Sequence, residues 1–228
     1  MFLFLGDEKA LLMDTGAVEE ESTFPLYKTV STIIHNWEKQ QNKKVNLIVA
    51  HTHKHGDHYA ADGQFKAKPN TTLVGLEKTK VIDFFKFIDW PNDIINFELG
   101  NRLLKIIPIP GHQEASISVY DTSSQLLLTG DTFYPGRLYV DDWLSFKNSI
   151  NRLVNFSKKH QIQHILGNHI EMSIVDGVDY PIGTTYQPEE RKLQLTVKDL
   201  ETLQLALDTL GDIPSRKVYK NFIIYPNE

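Results

Sequence analysis

Residues 50–60 read AHTHKHGDHYA and hold four of the chain's nine histidines, His51, His53, His55 and His58, with Asp57 among them. Neutral imidazole nitrogens and carboxylate oxygens are good zinc ligands at about 2.0–2.2 Å, so five such side chains this close together suggest a metal centre. A solvated polar tract is the plain alternative, and the residues just ahead argue against it. Residues 45–50 (VNLIVA) form a short apolar run of the kind that makes a buried strand. If the extended geometry continues, His51, His53 and His55 project to one side, because side chains alternate along a strand. Gly56 then lets the backbone turn, and Asp57 and His58 open a helix. Ligands would therefore point inward from a strand end and from a helix start. Spacing alone leaves all five candidates open.

The remaining histidines are less telling one by one. His112 follows Pro110-Gly111, Asp131 sits in TGDT, and His169 closes HILGNH. Each alone reads as an ordinary turn or capping residue. His160 and His164 stand at i, i+4, yet Gln161 occupies the place of the glutamate in H-E-x-x-H and HILG reads as strand. Both are taken as non-ligands. His35 lies on the first helix and is taken as structural.

The elements that must carry these groups alternate along the chain. MFLFLGDEKALLMDTG reads as two short strands, residues 2–5 and 10–13, around a polar turn. Leu26, Val30, Ile33, Ile34 and Trp37 recur at helical spacing. After the histidine cluster come a short helix (HYAADGQF), a strand (TTLVG) and a helix (EKTKVIDFFKF), then a run of strands in RLLKIIPIPGH, SISVYD and QLLLTGD. DDWLSFKNSINRLVNFSKKH is a helix with Leu144, Ile150, Leu153, Val154 and Phe156 on its apolar face, and QHILG a strand. TVKDLETLQLALDTLG is the clearest helix, with Thr196 and Asp199 in a capping box and Gly211 at its end. KNFIIYP closes as a strand. No linker marks a boundary, so residues 1–228 are expected to form one α/β domain with helices outside a mixed sheet.

Composition narrows the chemistry further. The 228 residues are 41% hydrophobic and 23% charged, enough to bury a sizeable core. A net charge of −5 offers no general attraction to nucleic acid. With no cysteine, any metal must be held by nitrogen and oxygen donors, which suits zinc, iron or manganese. No apolar run approaches the roughly 18 residues that span a bilayer, and MFLFL is short for a signal-peptide core. The expectation is a cytoplasmic protein that meets a small molecule, without nucleic acid or membrane as partner; its oligomeric state is not legible.

THKHGDH (residues 52–58) resembles the H-x-H-x-D-H signature of the metallo-β-lactamase-fold hydrolases. Four further stretches agree in order: ALLMDTG, IPIPGHQEASISVYD, LLLTGDTFY and HILGNH. The resemblance implies a four-layer αβ/βα sandwich of two mixed β-sheets with outer helices. It assigns His53, His55 and His112 to one metal ion, Asp57, His58 and His169 to a second, and Asp131 as the bridge. His51 falls outside the ligand set, and Asp14 supports the site from behind. The implied cofactors are two divalent ions, zinc first, with iron or manganese as alternatives. Two such ions about 3.5–4 Å apart acidify a shared water and polarise a scissile carbonyl or phosphoryl oxygen. Asp57 and Asp131 are the implied catalytic carboxylates.

True β-lactamases of this fold place cysteine or serine where Asp131 stands, so the resemblance implies a hydrolase of a small ester, thioester or lactone. A phosphodiesterase of the same fold and a non-catalytic metal-binding domain are the alternatives. Three features depart from the pattern. Only Met1–Leu5 precedes the first turn, the last histidine lies in GNHIEM rather than a glycine-rich turn, and the stretch after His169 is short for the helical domain of glyoxalase II. For substrate contacts the sequence offers aromatic loops: Phe84, Phe85, Phe87 and Trp90; Tyr134, Tyr139 and Trp143; and residues 179–190. Arg137 is the first candidate to bind an anionic group.

Overall fold

The computed structural model describes residues 1–227. The chain divides into two compact units, Met1–Ile106 with Asp121–Ser123, and Ile107–Tyr120 with the chain from Ser124 onward. The first unit carries a four-stranded sheet in the order β1 (Phe2–Leu5), β2 (Lys9–Met13), β3 (Asn46–Ala50), β4 (Thr71–Leu73). β1 and β2 form an antiparallel hairpin, while β2–β3 and β3–β4 are parallel. β3 has neighbours on both sides, and Leu47, Ile48, Val49 and Ala50 are all buried. That is why its sequence is a continuous apolar run rather than an alternating one.

α1 (Leu26–Gln41) buries Leu26, Val30 and Ile34, one residue per turn, against Leu12, Leu47 and Val49. Each such side chain contributes about 1.5–3 kcal/mol when fully buried. Trp37 lies at the edge of this core and donates its indole N–H to the Gly6 carbonyl, 3.0 Å. Ile33, expected on the apolar face, is 44% exposed instead. α2 (Gly56–Tyr59) and a 3-10 turn (Ala60–Phe65) follow the histidine cluster, and α3 (Lys78–Phe85) comes after β4. β5 (Ile95–Glu98) pairs antiparallel with the start of β6 (Leu103–Pro108).

The second unit is also mixed. β7 (Ile117–Asp121) lies beside β8 (Leu126–Gly130), β8 is parallel to β10 (His164–Gly167), and β10 is antiparallel to β11 (Gln194–Leu195). A separate sheet joins β9 (Arg137–Val140), β13 (Ile223–Pro226) and β12 (Lys217–Val218). α4 (Trp143–Ser157) and α5 (Val197–Leu210) pack on this framework through Phe146, Ile150, Leu153, Leu200, Leu203 and Leu207. Leu144, expected on the apolar face of α4, is 63% exposed.

Side chains cap two of the described helices. Asp142 caps α4 by accepting the Ser145 N–H, and α5 opens with the Thr196/Asp199 capping box and stops at Gly211. No described helix is long and apolar enough to cross a membrane.

Candidate metal centre

In the first unit, the chain leaves β3 at Ala50 and reaches α2 at Gly56, with His55 extended at the helix N-cap (φ −108°, ψ 149°). The intervening residues do not keep all three histidines on one side. His51 turns away, its Nε2 2.9 Å from Asp62 Oδ1, which also accepts the Thr15 hydroxyl at 2.8 Å. His53 Nε2 and His55 Nδ1 face each other at 3.0 Å. His58 Nε2 stands 3.5 Å from Asp57 Oδ2.

Behind these groups, Thr52 Oγ1 contacts His53 Nδ1 at 3.1 Å and His58 Nδ1 at 3.4 Å, while Asp14 Oδ2 lies 3.5 Å from His58 Nδ1. Asp14 in turn accepts the Thr52 N–H at 2.7 Å and its hydroxyl at 3.0 Å. Burial pushes the Asp14 carboxyl up, but the bond and charge of His58 and the Thr52 N–H outweigh it, leaving the group below its ordinary value. Asp14 adopts a left-handed backbone, φ 66°, which an aspartate tolerates better than most residues. With each Nδ1 engaged, His53 and His58 present Nε2 to the site.

The second unit supplies its own group. Gly111 precedes His112 at φ 137°, and a Cβ there would stand 2.4 Å from the Phe146 backbone, so α4 fits against this turn only because the residue is glycine. His112 Nδ1 is bonded to the Tyr139 carbonyl at 2.8 Å, which again leaves Nε2 facing the site. Asp131 Oδ2 lies 3.8 Å from His112 Nε2 and 3.1 Å from His169 Nε2. One carboxylate oxygen thus faces two imidazoles.

The donors fit metal coordination. Two ligand atoms each about 2.0–2.1 Å from a tetrahedral ion stand ~3.3 Å apart. The four donor pairs, His53–His55, Asp57–His58, His112–Asp131 and Asp131–His169, are separated by 3.0, 3.5, 3.8 and 3.1 Å. Each unit therefore supplies two edges of the kind a coordination shell requires. All the donors are nitrogen or oxygen, as zinc, iron or manganese accept. Asp57 and His169 keep 43% and 37% of their side chains exposed, while those of His53, His58, His112 and Asp131 are buried.

Other expectations change. Arg137 is not free to bind an anionic substrate. Its buried guanidinium donates to Asp179 Oδ2 (2.6 Å), the Tyr180 carbonyl (2.8 Å), Glu171 Oε1 (2.8 Å) and the Tyr139 hydroxyl (3.0 Å). Burial disfavours its charge, yet the bond to Asp179 and the charge of Glu171 prevail and hold it protonated. Phe85 and Phe87 are buried and pack edge-on with Phe97 and Trp90 rather than lining an opening. Trp143 donates to the Gly211 carbonyl at 2.9 Å. His160 stacks on Phe156 at 3.9 Å, outside the candidate ligand groups, and His35 is exposed on α1. Thr52, Asp62 and Glu171 were not singled out from the sequence. A threonine directly preceding H-x-H-x-D-H was the one available hint for the first of them.

A family model described as the metallo-beta-lactamase superfamily matches residues 1–203. An acyl-coenzyme A thioesterase, MBLAC2, of Homo sapiens is 24% identical over 209 residues, covering 74% of this chain and 72% of that protein. A hydroxyacylglutathione hydrolase of Pelagibacter ubique is 26% identical over 127 residues, covering 54% and 52%. Across the curated relatives, the aligned stretch spans from 28% to 72% of their own length. Among solved structures, a metallo-beta-lactamase from Pontibacter korlensis shares the fold, with TM-score 0.51, 15% identity and coverage of 90% of this chain and 85% of that one. With its α/β architecture of mixed sheets and helices and a match over nearly its whole length, the chain belongs to the metallo-β-lactamase superfamily.

Proposed function

We propose that the protein is a metal-dependent hydrolase of a small ester, thioester or lactone, with thioesters foremost. The observation that carries the reading is Asp131, whose single Oδ2 faces His112 and His169 at once, the placement a bridging carboxylate needs. In this reading His53, His55 and His112 hold one ion and Asp57, His58 and His169 the other, with Asp131 shared between them. Zinc suits these nitrogen and oxygen donors, and iron or manganese are the alternatives. Bound there, two divalent ions supply Lewis acidity toward a carbonyl oxygen and a water acidified to near neutrality.

The chain's own residues do the rest. Thr52 and Asp14 fix the orientation of His53 and His58, and the Tyr139 carbonyl fixes that of His112. Asp57, the most exposed carboxylate of the set, is placed to orient a water and accept its proton. The thioester preference draws on the names of the relatives, an acyl-coenzyme A thioesterase and a hydroxyacylglutathione hydrolase. Asp131 also stands where true β-lactamases of the fold carry cysteine or serine.

The test is a panel of thioester, ester, lactone, lactam and phosphodiester substrates offered to metal-reconstituted protein. Thioester turnover that EDTA abolishes and zinc restores is expected. Turnover of phosphodiesters alone would favour the phosphodiesterase, and metal uptake without turnover of any substrate the binding domain. Full activity in a His53→Ala/His55→Ala double variant would overturn the hydrolase reading.

A further inference from the structure

Asp131 and His169 lie on two segments, residues 130–137 and 167–171, that are tied together on either side of the pair. On one side the Asn168 N–H donates to the Gly130 carbonyl at 3.1 Å. Gly167 lies so near that an added Cβ would stand 2.3 Å from Tyr134 Cβ. On the other side the Glu171 carboxylate grips Arg137 twice: Oε2 accepts the backbone N–H at 2.7 Å and Oε1 accepts Nη2 at 2.8 Å. The Tyr134 hydroxyl donates to the Arg137 carbonyl and lies 3.2 Å from Glu171 Oε2. Its ring sits edge-on to the His169 imidazole, centroids 5.5 Å apart. The fit leaves no slack, since a Cβ on Gly136 would meet the Tyr134 ring at 2.2 Å and Glu171 Oε2 at 2.7 Å.

We infer that Arg137 and Glu171 are positioning residues that set the separation of His169 from Asp131, and with it the affinity of one ion site but not the other. The inference rests on the two-ion reading. A guanidinium is needed because only its planar fork engages Glu171 and Asp179 together while reaching Tyr139 and the Tyr180 carbonyl. Apart from the shared Asp131, the ligands assigned to the other ion have supports of their own. Thr52 supports His53. The Tyr139 carbonyl that holds His112 belongs to β9, whose backbone is fixed by its parallel pairing with β13.

The test titrates chelator-stripped protein with Zn²⁺ against a competing chromophoric chelator, for the wild type, Glu171→Gln, Arg137→Lys and Tyr134→Phe. Glu171→Gln and Arg137→Lys are expected to weaken one ion by about 10–100-fold, the usual cost of losing an outer-shell partner, and to leave the other unchanged. Tyr134→Phe removes a single hydroxyl, keeps the fold if the charge variants do not, and weakens the same ion by a smaller factor. Equal weakening of both ions, or no weakening in the folded variants, overturns the inference. A wild type that takes up one ion refutes the two-ion reading instead. The positioning role is then judged from histidine ¹H–¹⁵N spectra of the metal-free protein. His169 signals that move in the variants while those of His53 stay support it, and unmoved His169 signals refute it.

Discussion

In the first unit, four candidate ligands fall within residues 53–58, where the chain passes from the bend after β3 into α2. In the second unit, three are gathered from positions 112, 131 and 169, on the connections that follow β6, β8 and β10. The compact group takes one distant support, Asp14 behind Thr52 and His58, and is otherwise loosely enclosed at its glycine. A Cβ added at Gly56, the first residue of α2, would meet nothing within 4 Å. The dispersed group depends on close packing at every position, with Gly111 against Phe146, Gly167 against Tyr134, and Glu171 locked to Arg137. Nearness in sequence places one half of the donor set, and tertiary packing gathers the other. The two halves should therefore respond differently to the same kind of change.

The largest effect is expected at Asp131, the proposed shared ligand in the dispersed group. Asp131→Ala should lower kcat/KM for a thioester by at least about a thousandfold, ~4 kcal/mol of transition-state stabilisation. A loss under tenfold would remove the bridging role. The paired glycines come next. Gly111→Ala forces a left-handed residue into contact with the α4 backbone and should destabilise the fold by about 2–4 kcal/mol in thermal or denaturant unfolding. Gly56→Ala should shift stability by less than about 1 kcal/mol. Similar costs at the two positions would erase the contrast drawn between the units.

These contrasts also explain what could be read in advance. The strand 45–50, the capping box at Thr196 and Asp199 and the helix that Gly211 ends were all legible, because each depends on neighbours in sequence. The histidine cluster was legible as a candidate metal site for the same reason. Which of its members are candidate ligands was not: His51 turns aside to Asp62, eleven residues on, and no spacing rule predicts that. Tyr139 was placed in an aromatic loop, and only the parallel pairing with β13, more than eighty residues later, makes its segment the strand β9. Arg137 was misread as a substrate anchor on the same grounds, since its partners Glu171 and Asp179 are distant in sequence. His112, Asp131 and His169 were unremarkable one at a time and became candidates only through the order of the family's motifs.

Two smaller effects refine the comparison. Thr52→Val removes the hydroxyl that supports His53, His58 and Asp14, and should weaken zinc binding by about tenfold, read by chelator competition. An unchanged affinity would show that the bend alone orients its histidines. At the start of α4, whose Phe146 presses on Gly111, Asp142→Ala should cost about 0.5–2 kcal/mol by removing the N-cap. The bond from the Ser145 N–H holds the Asp142 carboxyl below its ordinary value. Its contribution is therefore fully present above the unfolded carboxylate pKa near ~4 and fades as pH falls through the lower folded value. A difference between wild type and variant that persists undiminished in strong acid would contradict this.

The most direct test of the account counts metal ions per chain by native mass spectrometry after zinc loading and dialysis. Two ions are expected for the wild type and one each for the His53→Ala/His55→Ala and His169→Ala variants, because the proposed ligand sets put His53 and His55 on one ion and His169 on the other. A wild type holding a single ion, or either variant losing both together, would contradict it.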